Sequence, residues 1–193
     1  TGELSGSSRT REKFVNNNEQ ENVTQPSMEF SVEDARWMEY AISLAAQGEI
    51  LGEVPVGAVI VKDGMIIGEG FNQPITACDP TSHAEIVALR QAANHIKNYR
   101  LVDSTIYVTL EPCTMCVGAL VHARIARLVF GTTEPKAGAV VSKSQLLDND
   151  YFNHRVDYSN GLLATQCQHQ LSNFFTWRRE QKKKEKQNIR NQE

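Results

Sequence analysis

The chain reads as a mixed α/β domain, a sheet with helices packed on both faces. Three observations carry that reading. Val54 to Val61 is almost continuously apolar, the pattern of a strand covered on both sides. Asp63-Gly64 then marks a two-residue hairpin turn, with Met65 to Phe71 returning antiparallel. Beyond it the period alternates twice, helical over 84–96, extended over 105–110, helical over 113–123 and extended over 126–131. Such crossovers favour parallel pairing and lay helices against the sheet.

Taken in order, Thr1 to Ser27 is polar and rich in Gly, Ser, Asn, Gln and Glu, and is expected to be a disordered extension. Ser31 caps the first helix, with Glu33 and Asp34 in the turn where the helix dipole favours acid. Trp37, Ala41, Leu44 and Ala45 form its inner stripe, and Gly48 and Gly52 bracket the loop that ends it. Asp79-Pro80-Thr81-Ser82 is a turn with capping residues ahead of the 84–96 helix. That places His83 in the first helical turn. Glu111-Pro112 is the corner between the third strand and a helix opening at Cys113. A last helix starts near Asn160-Gly161, with Leu163, Cys167, Leu171 and Phe174 inward. The division is therefore an extension over 1–27, one domain over 28–180 and a basic tail over 181–193.

Composition is that of a soluble globular chain. The 193 residues are 40% hydrophobic and 22% charged, with net charge −3. No stretch reaches the ~20 apolar residues of a membrane span. The first thirty residues have no apolar core of a signal peptide. Four cysteines, two of them wanted as thiolates, fit a reducing cytoplasm better than a disulfide scaffold. The charge is uneven. Trp177 to Glu193 carries seven basic and three acidic residues, a net +4, so the remainder is −7. A basic helix end can touch RNA phosphates, although a charge run is more often a solvated face.

The chemistry concentrates in His83-Ala84-Glu85 and Pro112-Cys113-Thr114-Met115-Cys116. His83, Cys113 and Cys116 make a three-ligand zinc set, and catalytic zinc keeps its fourth position for water. The metal lowers the pKa of that water from ~15.7 towards ~7, and a nearby carboxylate such as Glu85 can carry its proton. Cys113 and Cys116 are i and i+3 on a helix, so their thiolates face the same way. On an ideal helix His83 and Glu85 diverge by about 200°, so Glu85 must curl back to share the site. The alternatives are a redox Cys-x-x-Cys or half of a structural zinc knuckle. Cys78 and Cys167 lie too far apart to supply a knuckle's second half.

His83-Ala84-Glu85 with Pro112-Cys113-x-x-Cys116 resembles the signature of the zinc-dependent cytidine and adenosine deaminase superfamily. Glu53-Val-Pro-Val-Gly-Ala-Val, Gly70-Phe-Asn72, Asp79-Pro-Thr-Ser-His-Ala-Glu-Ile, Tyr107-Val-Thr-Leu-Glu-Pro-Cys and Asn153-His-Arg-Val are similar to the bacterial tRNA-specific adenosine deaminases. The similarity runs from about Met28 to about Arg179. It implies a three-layer α/β/α, cytidine-deaminase-like fold around a mixed five-stranded sheet, one strand more than the patterning marks. It also implies deamination of adenosine to inosine at a tRNA wobble position, with tRNA-Arg as the expected carrier. One zinc per subunit, a homodimer, an anticodon stem-loop as partner, and no membrane or DNA partner complete the expectation.

Residue by residue, the resemblance assigns Glu85 as proton carrier and His83, Cys113 and Cys116 as zinc ligands. Asn72 matches the asparagine that holds the flipped nucleotide, the backbone groups of Ala84 and Cys116 help position the base, and Pro112 belongs to the substrate-binding set. Lys136 and Asn153 match RNA-contacting positions. Glu134 stands where the bacterial enzymes commonly place Asp, and Gly138-Ala-Val-Val-Ser142 departs from the usual Gly-Ala-Ala-Gly-Ser. Arg178 and Arg179 are expected to touch RNA, and the lysines beyond them to form a solvated face. Phe30, Phe130, Phe174, Phe175 and Trp177 are core by default, but the adjacent Phe174 and Phe175 cannot both face inward, so one, Phe175 in this assignment, reaches the substrate groove. Two other readings compete, a deaminase of free guanine, cytosine or nucleosides, and a non-catalytic zinc scaffold. An intact Glu85 argues against the scaffold.

Overall fold

The structure is a computed structural model that describes residues 30–191; the extension expected over 1–27 lies outside them. In chain order the elements are α1 (Val32–Ile50), β1 (Gly57–Lys62), β2 (Met65–Phe71), α2 (Ala84–Ile96), β3 (Thr105–Leu110), α3 (Thr114–His122), β4 (Arg127–Thr132), a short 3-10 turn (Leu146–Asp148), β5 (Asp157–Asn160) and α4 (Ala164–Arg190). The sheet has five strands in the order β2-β1-β3-β4-β5.

Strand alternation divides the core between two faces. Ala58, Ile60, Ile106, Val108, Leu128 and Phe130 point to one side and pack on Ala84, Ala88, Val117 and Leu120 of α2 and α3. Val59, Val61, Tyr107 and Val129 point to the other and pack on Trp37, Met38, Ala41 and Leu44 of α1 and Cys167 of α4. The three-layer α/β/α architecture follows directly. Asp63 and Gly64 both take positive φ, 52° and 72°, the turn geometry that matches the twist of a tight hairpin.

The strand pairing departs from expectation at one crossover. β3 and β4 pair in parallel across α3, as the β-α-β reading requires. The α2 crossover instead skips a strand, because β1 pairs antiparallel with both β2 and β3 and lies between them. The hairpin holds β2 at the sheet edge, so the chain must pass over β1 to reach β3. Further differences are local. Gly48 lies inside α1, which ends at Ile50, and Gly52 supplies the positive φ of 78° beyond the C-cap. Asn160 belongs to β5, a polar four-residue edge strand with no apolar alternation to betray it, and α4 opens only at Ala164. α4 then runs through Arg190, so residues 181–190, expected as a tail, are helical.

Asp34 ties the layers together. It forms a reciprocal capping box with Ser31, accepts the Tyr107 hydroxyl at 2.7 Å and accepts the Arg127 guanidinium at 2.8 Å. The start of α1 is thereby locked to β3 and β4. Burial alone would raise the Asp34 carboxyl; the Arg127 guanidinium, the Ser31 amide and the Tyr107 hydroxyl outweigh it and hold it at about 2.

Candidate active site

The ends of α2 and α3 meet above the carboxyl end of β3, and the candidate ligands sit at those helix starts. His83 is the N-cap of α2, in extended conformation at φ −72° and ψ 155°. Cys113 is the N-cap of α3, at φ −78° and ψ 173°, and Cys116 lies one turn further in. His83 is therefore not in the helical turn that the sequence predicts. Its backbone precedes the helix, so the 200° divergence from Glu85 does not apply, and both residues face one cleft. Gly70 lets the start of α2 lie close against β2, since a Cβ there would come within 2.8 Å of the Ala84 carbonyl oxygen and 2.7 Å of the Val87 Cβ.

The donor geometry fits a metal ion. The Sγ atoms of Cys113 and Cys116 lie 3.7 and 3.6 Å from His83 Nδ1, and all three donor atoms fall within 4.8 Å of one another. A tetrahedral ion with metal–sulfur bonds of about 2.3 Å and a metal–nitrogen bond of about 2.0 Å needs sulfur–nitrogen separations of about 3.5 Å. Among the described residues this is the group of His, Cys, Asp or Glu side chains arranged to hold an ion, and it supplies three ligands. A half-knuckle finds no second pair here, because Cys78 is exposed on a loop and Cys167 is buried beneath β4.

The electrostatics of Cys113 and Glu85 favour the same reading. The Cys116 thiol, and with it His83, stabilise a thiolate on Cys113 and hold its pKa at about 4. The hydrogen bond to that thiolate and burial in turn push Cys116 up. Glu85 is buried, and desolvation lifts its carboxyl to about 7. A carboxyl that titrates near neutrality can both accept and return a proton.

The cleft beside these groups has a volume of about 170 Å³ and is lined by Val54, Val56, Asn72, His83, Glu85, Leu110, Glu111, Cys113, Glu134 and Ala137. Asn72 sits at its wall with its Oδ1 accepting the Ala84 amide at 2.9 Å. That bond serves the start of α2, whose N-cap histidine makes no side-chain cap of its own. Pro112 is buried, and its carbonyl accepts the Ala139 amide at 2.9 Å. Phe175, Arg178 and Arg179 lie in a neighbouring groove of about 320 Å³ that shares Val54 with the cleft. Phe174 is the inward ring and Phe175 the outward one. Arg178 donates to the Gly52 carbonyl at 2.7 Å and lies over the Phe174 ring. Lys136 is exposed, its amide bound to the Glu134 carboxylate at 2.9 Å. Asn153 lines neither cavity and accepts from Arg124 at 2.8 Å.

Sequence reasoning misses Glu111, which reads there only as a corner residue. It is buried, and its carboxylate accepts the amides of Glu134, Val140, Val141 and Ser142 at 2.8–3.1 Å together with the Ser142 hydroxyl. Burial would raise its pKa, but the Ser142 hydroxyl and these amides outweigh it and hold the carboxyl below the usual range. Glu111 thus anchors the 134–142 loop that forms one cleft wall. An acid ending an apolar strand is the available signal, since buried acids need such partners. Glu53, also buried, holds the opposite loop by accepting the Thr76 amide at 2.7 Å.

The MafB19-like deaminase family model matches residues 32–179. The chain is 54% identical over 154 residues to the tRNA-specific adenosine deaminase of Haemophilus influenzae, covering 79% of this chain and 89% of that protein. A solved structure from work on A-to-I editing by tRNA:A34 deaminases at the wobble position superimposes with a TM-score of 0.69 at 39% identity, covering 70% of this chain and 99% of the other. A guanine deaminase of Nitrosomonas europaea, at 20% identity and a TM-score of 0.60, covers 78% of this chain and 88% of its own length and shares the fold. Fold, donor geometry and these similarities converge: the chain is a deaminase of the MafB19-like family and belongs within it to the tRNA-specific adenosine deaminases.

Proposed function

We propose that the enzyme converts adenosine to inosine at the wobble position of a tRNA anticodon, tRNA-Arg foremost, releasing ammonia. The observation that carries this reading is one cleft joining the His83/Cys113/Cys116 group to Glu85 and Asn72. Similarity to a tRNA-specific relative at 54% identity supports the substrate class. Zinc, whose bond lengths the donor separations suit, supplies when bound an electrophilic centre that acidifies water at its open position.

The protein's own groups do the rest. Glu85 accepts a proton from the attacking water and delivers it to a ring nitrogen. It then takes the second proton from the new C6 hydroxyl and passes it to the amine, which leaves C6 as ammonia while the carbonyl forms. The Glu85 pKa near 7 suits both transfers. Asn72 keeps its side-chain NH₂ for the nucleotide while its oxygen holds the start of α2. Val54, Val56 and Leu110 give the base apolar walls, and Glu134 faces the adjoining sugar. Phe175, Arg178 and Arg179 receive neighbouring nucleotides, with Lys136 and Asn153 at the periphery of the RNA. A target already unpaired in a loop costs little to extrude.

Each subunit holds one zinc ion, and two subunits associate through the exposed apolar groove of α2 and α3, formed by Ile86, Leu89, Ala93, Ala119 and Tyr99. The enzyme works in the cytoplasm, where its tRNA resides. Among the described residues no helix is long and apolar enough to cross a membrane.

The test is sequencing of cDNA made from an anticodon hairpin incubated with the enzyme, beside ammonia release from free adenosine, cytidine and guanine. A-to-G conversion at the wobble position without ammonia from the free compounds is expected. Turnover of free guanine with an unedited hairpin overturns the proposal.

A further inference from the structure

The prolonged α4 helix sorts its charges by side. Its last stretch, Arg178 to Arg190, holds seven basic and two acidic residues. At 100° per residue, Arg178, Lys182, Lys186, Arg179, Arg190 and Lys183 fall within an arc of about 140°. Lys184 alone among the basic residues stands outside it, and Glu180 and Glu185 flank the arc on either side. From Lys182 to Arg190 every residue is exposed, so no packing against the body explains this segregation. A helix that only solvates itself scatters its charges and pairs them at i,i+4. This stripe also has a direction. It begins at Arg178, Arg179 and Lys182, which line the groove beside the catalytic cleft, and leads away from it for about 18 Å at 1.5 Å per residue. Residues 180–190 lie beyond the 32–179 stretch matched by the family model.

We propose that Lys183, Lys186 and Arg190 bind phosphates of the tRNA outside the anticodon loop, along the helical stem that the loop closes. The inference rests on the tRNA reading above and adds a second, sequence-independent contact to it. The chemistry is the match of a one-sided row of cations to a polyanionic backbone. The span carries the row away from a nucleotide held in the cleft. Chain-wide charge cannot do this work, since the protein is net −3. Phosphate contacts of this kind fix position and add affinity without reading bases.

The experiment measures the dependence of log Kd on log salt for full-length tRNA and for a hairpin reduced to the anticodon loop and its closing pairs. The hairpin is first checked for inosine formation by the wild type; failure there defeats the tRNA reading itself. With editing intact, the wild-type slope is expected to be steeper on full-length tRNA than on the hairpin by about two to three, roughly one per phosphate contact. The variant Lys183→Gln/Lys186→Gln/Arg190→Gln should lose that excess and bind full-length tRNA about tenfold more weakly near physiological salt. A second variant adds Gln181→Lys, Asn188→Lys and Asn191→Lys, restoring net charge on the opposite side, and should not recover the slope. An unchanged slope in the first variant overturns the inference, as does full recovery in the second, which would reduce the effect to net charge.

Discussion

The amide of Glu134 donates to the carboxylate of Glu111 at 2.9 Å, which fastens the cleft wall contributed by β4's exit to the end of β3. Because Glu111 also receives three further amides and a hydroxyl from 140–142, the whole loop depends on one buried acid. Glu111→Ala leaves these donors without their acceptor and should cost about 3 kcal/mol, lowering Tm by roughly 10 °C. Gly138→Ala tests the same contact sterically, since its Cβ would strike the Glu111 carboxyl. Both variants should raise KM for the hairpin more than they lower kcat, as steady-state kinetics would show. An unaffected KM removes the loop from substrate binding.

Glu85→Gln preserves shape and removes the proton carrier. Turnover should fall by at least about 10³-fold while bound metal, read by atomic spectroscopy, stays at one equivalent per chain. Cys113→Ser should behave oppositely and lose the metal with the activity. A fully metallated, active Cys113→Ser protein contradicts the ligand assignment.

Asn72→Ala deletes the acceptor for the Ala84 amide at the start of α2. The loss of a capping bond costs about 1 kcal/mol, seen as a Tm lower by a few degrees. Activity should drop well beyond what that destabilisation explains, because the side chain also faces the cleft. Asn72→Asp restores the acceptor without the NH₂ donors. It should recover most of the stability and little of the turnover.

Acid sensitivity follows from Asp34. Its carboxyl titrates at about 2 in the fold against about 3.9 in an unfolded chain. A depressed folded pKa contributes stability that is complete above about pH 4 and disappears as pH falls towards 2. Asp34→Asn should flatten that part of the stability–pH curve and cost about 2 kcal/mol at neutral pH by leaving the Arg127 guanidinium without its partner. Denaturant melts from pH 2 to 7 on both proteins would show it, and parallel curves would refute it.

The elements that bury large apolar faces are legible in the amino-acid pattern alone. β1, the hairpin, α2, β3, α3 and β4 fall within a few residues of their sequence positions, because each is marked by a continuous apolar run, a tight turn signal or helical spacing. β5 escapes because Asp157-Tyr-Ser-Asn160 pairs on one edge and buries little. The position of β1 between β2 and β3 escapes because pairing order is a property of the assembled sheet, which no local pattern encodes. In the candidate site, the residue types and spacing of His83, Cys113 and Cys116 single out a group whose donor atoms the fold brings within 4.8 Å of one another. Glu111 does not, since its importance lies in amides 23 to 31 residues away.

His83 and Cys113 each stand on the threshold of a helix, 30 residues apart, with extended backbone behind and helical backbone ahead. Neither helix can present a complete donor set alone. The three donors come within reach of one another only because α2 and α3 dock on the same side of the sheet.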